Sequence, residues 1–273
     1  MQYNHKQIMI MQTSLKTKPV VLTFSGHDPT GAAGVQADIE SVNQQGCCCV
    51  SIVTVLTAQN TARFEDLIPQ RSEEFMRQTE LLLSETTIHA CKIGLIGDAR
   101  LAEVIAIKLT ALESIPVVLD PILVAGVGVD VTDVELTTIM MDKLFTLATV
   151  LTPNVNEALS LTKTNDIEQA VEKLYRLGCE HILITGADED TPTVNNIFFS
   201  QNKDPETYEW ERLPGKYHGS GCTLSSSIAA NLARGIEIKS AIEKAQDFTW
   251  NCLKSSFTLG SAQKHPNRFF YIR

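Results

Sequence analysis

One run of small residues carries the densest chemistry in the chain: Gly219, Ser220, Gly221, Cys222 and Thr223, followed by Leu224, Ile228 and Leu232 at every fourth position. That spacing places the three apolar residues on one helical face. Arg234 falls in the last turn, and Gly235 suits the position just past the helix end. The two glycines therefore feed a helix N-terminus. Free backbone N–H groups and the positive end of the helix dipole favour an anion there. Glycine lets the backbone approach that anion closely. A thiol at the first helical position feels the same dipole, which lowers its pKa from the free value of about 8.5. Taken alone, the motif fits an ordinary helix start with a buried cysteine equally well.

Other candidates sit where strands give way to loops. Gly26 to Gly34 (GHDPTGAAG) is a second glycine-rich loop, with Asp38 in the helix after it. Gln59, in TAQN, has an amide that offers both a donor and an acceptor. Asp120 is the acid that ends the apolar strand Pro116–Asp120. Asn154 and Glu157 open a helix, where an acid in the first turn is favourable on electrostatic grounds alone. His27 and His218 flank the two glycine loops and receive no role.

The elements that must position these residues alternate. Apolar strands read at Val20–Ser25, Cys47–Leu56, Ile88–Ile93, Pro116–Asp120, Thr149–Leu151 and His181–Thr185. Helices read at Ser72–Glu85 (with Ser72 as N-cap), Asp98–Leu112, Thr132–Leu147, Asp166–Leu177 and Glu237–Phe257. Val194–Ser200 and Thr207–Leu213 read as a hairpin. Alternating strands and helices predict an α/β fold with a mainly parallel sheet covered on both faces. Ligands in such sheets bind outside the carboxyl ends of the strands, and every candidate loop lies at such an end. Gly126 and Gly128 mark a candidate flap. Residues 1–18 read as a disordered tail in which Met9 or Met11 could be the start, and 19–273 as a single domain.

Composition narrows the partners. The chain has 273 residues and a formal charge of −9, with no Lys/Arg cluster, which argues against nucleic acid. No apolar run approaches the ~18 residues of a membrane span. Seven cysteines are an odd number, and the adjacent Cys47, Cys48 and Cys49 point to alternate faces of a strand, so they cannot wrap one metal. This usage suits small apolar residues in a reducing, cytoplasmic setting.

Six blocks in register, SGHDPTGAAGVQADIES, TAQNT, KIGLIG, VVLDPILVAG, LTPNVNEA and HGSGCTLSSSIAANLARG, resemble the hydroxymethylpyrimidine/phosphomethylpyrimidine kinases of thiamin synthesis, in the ribokinase-like superfamily. The resemblance spans about Val20 to Phe257 and implies a three-layer αβα ribokinase-like fold. It also implies two successive phosphorylations of 4-amino-5-hydroxymethyl-2-methylpyrimidine by ATP and Mg2+, commonly in a homodimer. By that resemblance, Gly219–Gly221 would bind the transferring phosphoryl group and Cys222 would be the base. Gln59, Asp38, Gly26, Leu95 and Ile122 would contact the pyrimidine, with Gly26 bare so as not to obstruct the ring. Asn154 and Thr185 would lie on the nucleotide, and Asp120 and Glu157 would organise the Mg2+. Two departures stand out. Thr185-Gly-Ala-Asp188 replaces a lysine-bearing KGGH-like segment, and Ala125-Gly-Val-Gly128 replaces AKSG. Two positive charges are therefore missing near the phosphates, for which Lys216 is a candidate replacement. Pyridoxal kinase activity, non-catalytic pyrimidine binding and a covalent thiol enzyme are the competing readings. For the last, no His base stands at a recognisable spacing.

Overall fold

A computed structural model of the chain describes residues 18–112, 115–124, 128–129 and 131–271. The expected tail, up to residue 17, and Gly126 of the expected flap lie outside the described residues.

The strands form because their side chains serve two apolar layers at once. In β1 (Val20–His27), Val21 joins one cluster and Leu22 and Phe24 the other. In β5 (Val117–Leu119), Val118 points opposite to Val117 and Leu119. The same alternation recurs at Val150 and Leu151 in β6 (Val150–Leu151), and through Ile182, Leu183 and Ile184 in β7 (His181–Ile184). A strand buried on both faces reads as a continuous apolar run, because side chains alternate across the sheet.

With β2 (Cys48–Gln59), β3 (Phe64–Pro69), β4 (Ala90–Ile93), β8 (Thr193–Ser200) and β9 (Glu206–Glu211), these make one nine-stranded sheet, ordered β3-β2-β1-β4-β5-β6-β7-β8-β9. The six strands from β2 to β7 run parallel, and antiparallel strands close both edges. One face is covered by α1 (Gly34–Gln44), α7 (Ser220–Ala233) and α8 (Ile238–Lys254). The other face is covered by α2 (Ser72–Leu83), α3 (Ala99–Ala111), α4 (Val134–Ile139), α5 (Val155–Thr162) and α6 (Ile167–Arg176). This is the αβα sandwich expected from the sequence. Among the described residues no helix is long and apolar enough to cross a membrane.

Local differences have local reasons. β2 runs on to Gln59 and turns back as β3, where a loop is expected. β3 is an edge strand with no buried residue, so it carries no apolar alternation to read. Arg71, not Ser72, occupies the N-cap of α2, with no side-chain cap. The expected 132–147 helix is α4 followed by a π turn at Met140–Leu144 and a 3-10 turn at Phe145–Leu147. The seven cysteines are unpaired, and five of them (Cys47, Cys91, Cys179, Cys222 and Cys252) are buried.

Candidate active site

The strand order lays the candidate residues out along the carboxyl edge of the sheet. A cleft of about 1490 Å³ runs over that edge. At one end lie Gln59 at the tip of β2, Gly26 in β1 and Leu95 after β4. Asp120 and Ile122 follow β5, Asn154 and Glu157 follow β6, and Thr185 follows β7. Gly219, Ser220, Gly221 and Cys222 line the same cleft from α7. Every site residue expected from the sequence reaches it except Asp38.

Gly219 is the N-cap of α7, with φ 83°, and a Cβ there would run into the Ala32 carbonyl. Both facts demand glycine. The helix starts at Ser220, so Cys222 is its third residue and not its first. This overturns the expected low pKa. Cys222 is 7% exposed and packs on Ala33, Ala37 and Ile122. Burial, aided by Asp38 and Asp120, pushes its thiol up to about 11 against the pull of Lys92 and of the Gly34 N–H. Desolvation outweighs the helix dipole. The free protein therefore holds a thiol at neutral pH.

Asp38 stands behind the site. Its carboxylate is fully buried and accepts from Lys92 Nζ at 2.9 and 3.1 Å and from Ser226 Oγ at 2.6 Å. The carboxylate's partners lie between α1, α7 and β4, and Asp38 does not line the cleft. Lys92 Nζ also donates to Ser25 Oγ at 2.9 Å. Burial opposes charge on Lys92, yet Asp38, Cys222 and Asp120 together hold its pKa above the ordinary value. Sequence reasoning assigned Lys92 nothing. The signal was there: a lysine between Cys91 and Ile93, in a strand whose every residue is buried.

Gly26 also has a packing reason to be bare. A Cβ would lie 2.9 Å from Val55 Cγ2 and 3.1 Å from Leu95 Cδ2, so neighbouring side chains already fill the space.

Asn154 and Glu157 lock each other at the start of α5. Asn154 Oδ1 accepts the Glu157 N–H at 2.8 Å, and Glu157 Oε2 accepts the Asn154 N–H at 2.9 Å. Glu157 Oε1 also accepts the Leu123 N–H at 3.4 Å. Burial, then Asp120, pushes Glu157 up to about 8. Burial also raises Asp120, to about 6, with Lys92 and a 3.3 Å hydrogen bond from Ser225 opposing. Two buried carboxyls with raised pKa values make a place that welcomes a hard cation. Among the described residues no group of three or more His, Cys, Asp or Glu forms a ready cage, so substrate oxygens would have to complete the coordination.

The two glycine loops are tied together by a residue left without a role. His218 Nε2 lies 3.3 Å from Asp28 Oδ2. Burial would raise Asp28, but His218 and Thr30 hold it down at about 2.

An αβα sandwich with a glycine loop and two buried acids over the carboxyl edge of its parallel sheet defines a small-molecule kinase of the ribokinase-like class. The family model described as phosphomethylpyrimidine kinase matches residues 28–267, and the chain belongs to that family. A hydroxymethylpyrimidine/phosphomethylpyrimidine kinase of Staphylococcus aureus is 32% identical over 261 residues, covering 93% of this chain and 95% of that protein. A probable thiamine biosynthetic bifunctional enzyme of Oryza sativa is 33% identical over 260 residues, and the match spans 47% of its length. Among solved structures, an ADP complex of Bacillus subtilis pyridoxal kinase has a TM-score of 0.84 at 26% identity, covering 93% of this chain and 98% of that one. A phosphomethylpyrimidine kinase from Clostridium difficile has a TM-score of 0.74 at 26% identity, covering 85% and 98%.

Proposed function

We propose that the protein phosphorylates 4-amino-5-hydroxymethyl-2-methylpyrimidine, and then its monophosphate, from ATP and Mg2+ in thiamin biosynthesis. The observation that carries this reading is the order of groups along the cleft. An amide and apolar contacts, Gln59 and Leu95, stand at one end. The buried acids lie in the middle, and Thr185 and Trp210 mark the other end. Cys222 and the α7 N-terminus face that middle. A pyrimidine held at Gln59 would present its hydroxymethyl group toward Cys222, and a nucleotide from the opposite end would bring its terminal phosphate to the same point.

Phosphoryl transfer asks mainly for positioning and charge stabilisation. The N–H groups at the start of α7 would stabilise the transferring group's oxygens, and Cys222 would take the hydroxymethyl proton. Asp120 and Glu157 fit Mg2+, which when bound neutralises phosphate charge. Thr185 replaces the expected lysine, and Asp188 lines the cleft beside it. Lys216, Lys163 and Arg212 line the cleft as well, and we assign the missing charge to Lys216. A homodimer is carried over from the family resemblance alone, and a cytoplasmic location from the cysteine usage.

The test is a phosphorus NMR time course with ATP, Mg2+ and the hydroxymethylpyrimidine, beside a parallel run with pyridoxal. Monophosphate followed by diphosphate is expected. Faster turnover of pyridoxal would favour the second reading, which rests on the similarity to pyridoxal kinases. Pyrimidine binding with no ATP consumed would sink both.

The raised carboxyls add a pH signature. A cation binds the ionised forms, so apparent Mg2+ affinity should strengthen as pH rises through about 6 to about 8, the range set by Asp120 and Glu157. Mg2+ titrations of the rate across that range check it; a flat response would remove these two residues from the metal site.

A further inference from the structure

The C-terminal segment beyond α8 is polar and aromatic in sequence, yet it carries the largest fully buried side chain among the described residues. Arg268 is fully buried. Each of its five N–H groups has an acceptor available, and those acceptors lie on both glycine loops and on the helices that follow them. Nε donates to Thr223 Oγ1 at 2.9 Å. Nη1 donates to the Glu40 carboxylate at 3.2 Å and approaches the Gly31 carbonyl at 3.5 Å. Nη2 donates to the Ala32 carbonyl and approaches the Gly219 carbonyl at 3.5 Å.

The Gly219 carbonyl is the pivot. It also accepts the Thr223 N–H at 3.0 Å and the Thr223 hydroxyl at 2.8 Å, so one peptide is held from several sides. Rotation of that peptide would re-aim the Ser220 N–H and the first turn of α7. The same segment grips the loop upstream: the Lys264 N–H donates to the Lys216 carbonyl at 2.8 Å, and the His218 N–H donates to the Lys264 carbonyl at 3.1 Å. A planar guanidinium suits this task, because its fork is rigid and cannot lose its charge.

We infer that Arg268 is a positioning residue for phosphoryl transfer: it clamps the Gly31–Ala32 and Gly219 peptides together and so holds the N-terminus of α7 in its working geometry. The inference rests on the kinase reading. It gives the C-terminal segment a part in catalysis although it contributes no group to the reacting atoms. Arg268 has no part at the pyrimidine end, where Gln59, Gly26 and Leu95 belong to β2, β1 and the turn after β4.

The test compares wild type with Arg268→Ala and Arg268→Lys. It measures kcat, KM for the hydroxymethylpyrimidine, and hydrogen exchange at the Ser220–Cys222 amides. A misplacement of about 1 Å can cost about 100-fold in rate, so Arg268→Ala should lose kcat on that scale with the pyrimidine KM unchanged. Added guanidinium should restore part of the loss, whereas sodium should not. The Ser220–Cys222 amides should exchange faster while those of β4 and β5 keep their protection. If Arg268→Ala does not fold, Arg268→Lys keeps the charge without the fork and should still lose kcat selectively. Wild-type kcat in either folded variant overturns the inference. So does a parallel loss of kcat and pyrimidine binding without guanidinium rescue, which would mean a general structural role. Should the wild type itself fail to phosphorylate any pyrimidine, the kinase reading falls, and amide exchange still decides whether the clamp exists.

Discussion

Replacing Cys222 by alanine should lower kcat by about 10²–10⁴-fold, the usual worth of a positioned acid or base, while leaving the KM of the pyrimidine nearly unchanged. The thiol adds little contact area, and the pyrimidine is held mainly elsewhere. The pH dependence gives a second handle. Because burial pushes the thiol up to about 11, the thiolate fraction grows about tenfold per pH unit across the neutral and mildly alkaline range. The wild-type kcat/KM should therefore climb with pH, and the Cys222→Ala profile should lose that slope. A mutant with full activity, or a wild type whose rate is flat from about pH 7 to 9, would remove Cys222 as the base.

Lys92→Met should destabilise the protein strongly. The substitution keeps the apolar stem and deletes the cation, leaving the Asp38 carboxylate fully buried with only Ser226 as a side-chain donor. Breaking a buried pair from one side costs about 3–5 kcal/mol, because a charge is stranded. For a domain of this size that is a fall of about 10 °C in melting temperature. The double variant Lys92→Met/Asp38→Leu should recover much of the loss, since replacing both partners by apolar groups removes the stranded charge. Thermal melts of the three proteins decide it. A Lys92→Met melt within a few degrees of wild type would show that the pair is not buried as the structure has it. The pair also bears on the chemistry: it joins α1, α7 and β4 beneath Cys222, and Lys92 is the cation that restrains the thiol's pKa.

Much of the architecture was legible in the chain. Strands buried on both faces must be continuously apolar, so β1, β5 and β7 announced themselves, and their alternation with helices left a covered parallel sheet as the only economical fold. β3 was not legible, because an edge strand without a buried face has no pattern to show. The glycine at 219 was legible for the same kind of reason: only glycine serves where φ is 83° and a carbonyl sits in the place of a Cβ.

The residue types and spacing along the chain thus determined the sheet, the loops at its carboxyl edge, and a set of candidate groups all of which, Asp38 excepted, line the cleft. What those groups experience was decided by the tertiary structure alone. The dipole at the start of α7 is a local property and points to a low pKa for Cys222. The neighbours that bury the thiol, Ala33, Ala37 and Ile122, come from two other parts of the chain, and their desolvation reverses the sign. Asp38 stood out only through the family resemblance, and the fold makes it half of a buried ion pair whose partner lies 54 positions away. Arg268 had no local signal at all: its acceptors are 45 to 237 residues distant, and only folding brings them within reach of one guanidinium. Pattern in a sequence reports local conformation and which faces are apolar. Desolvation and long-range pairing depend on what packs on top, and that is a property of the assembled fold.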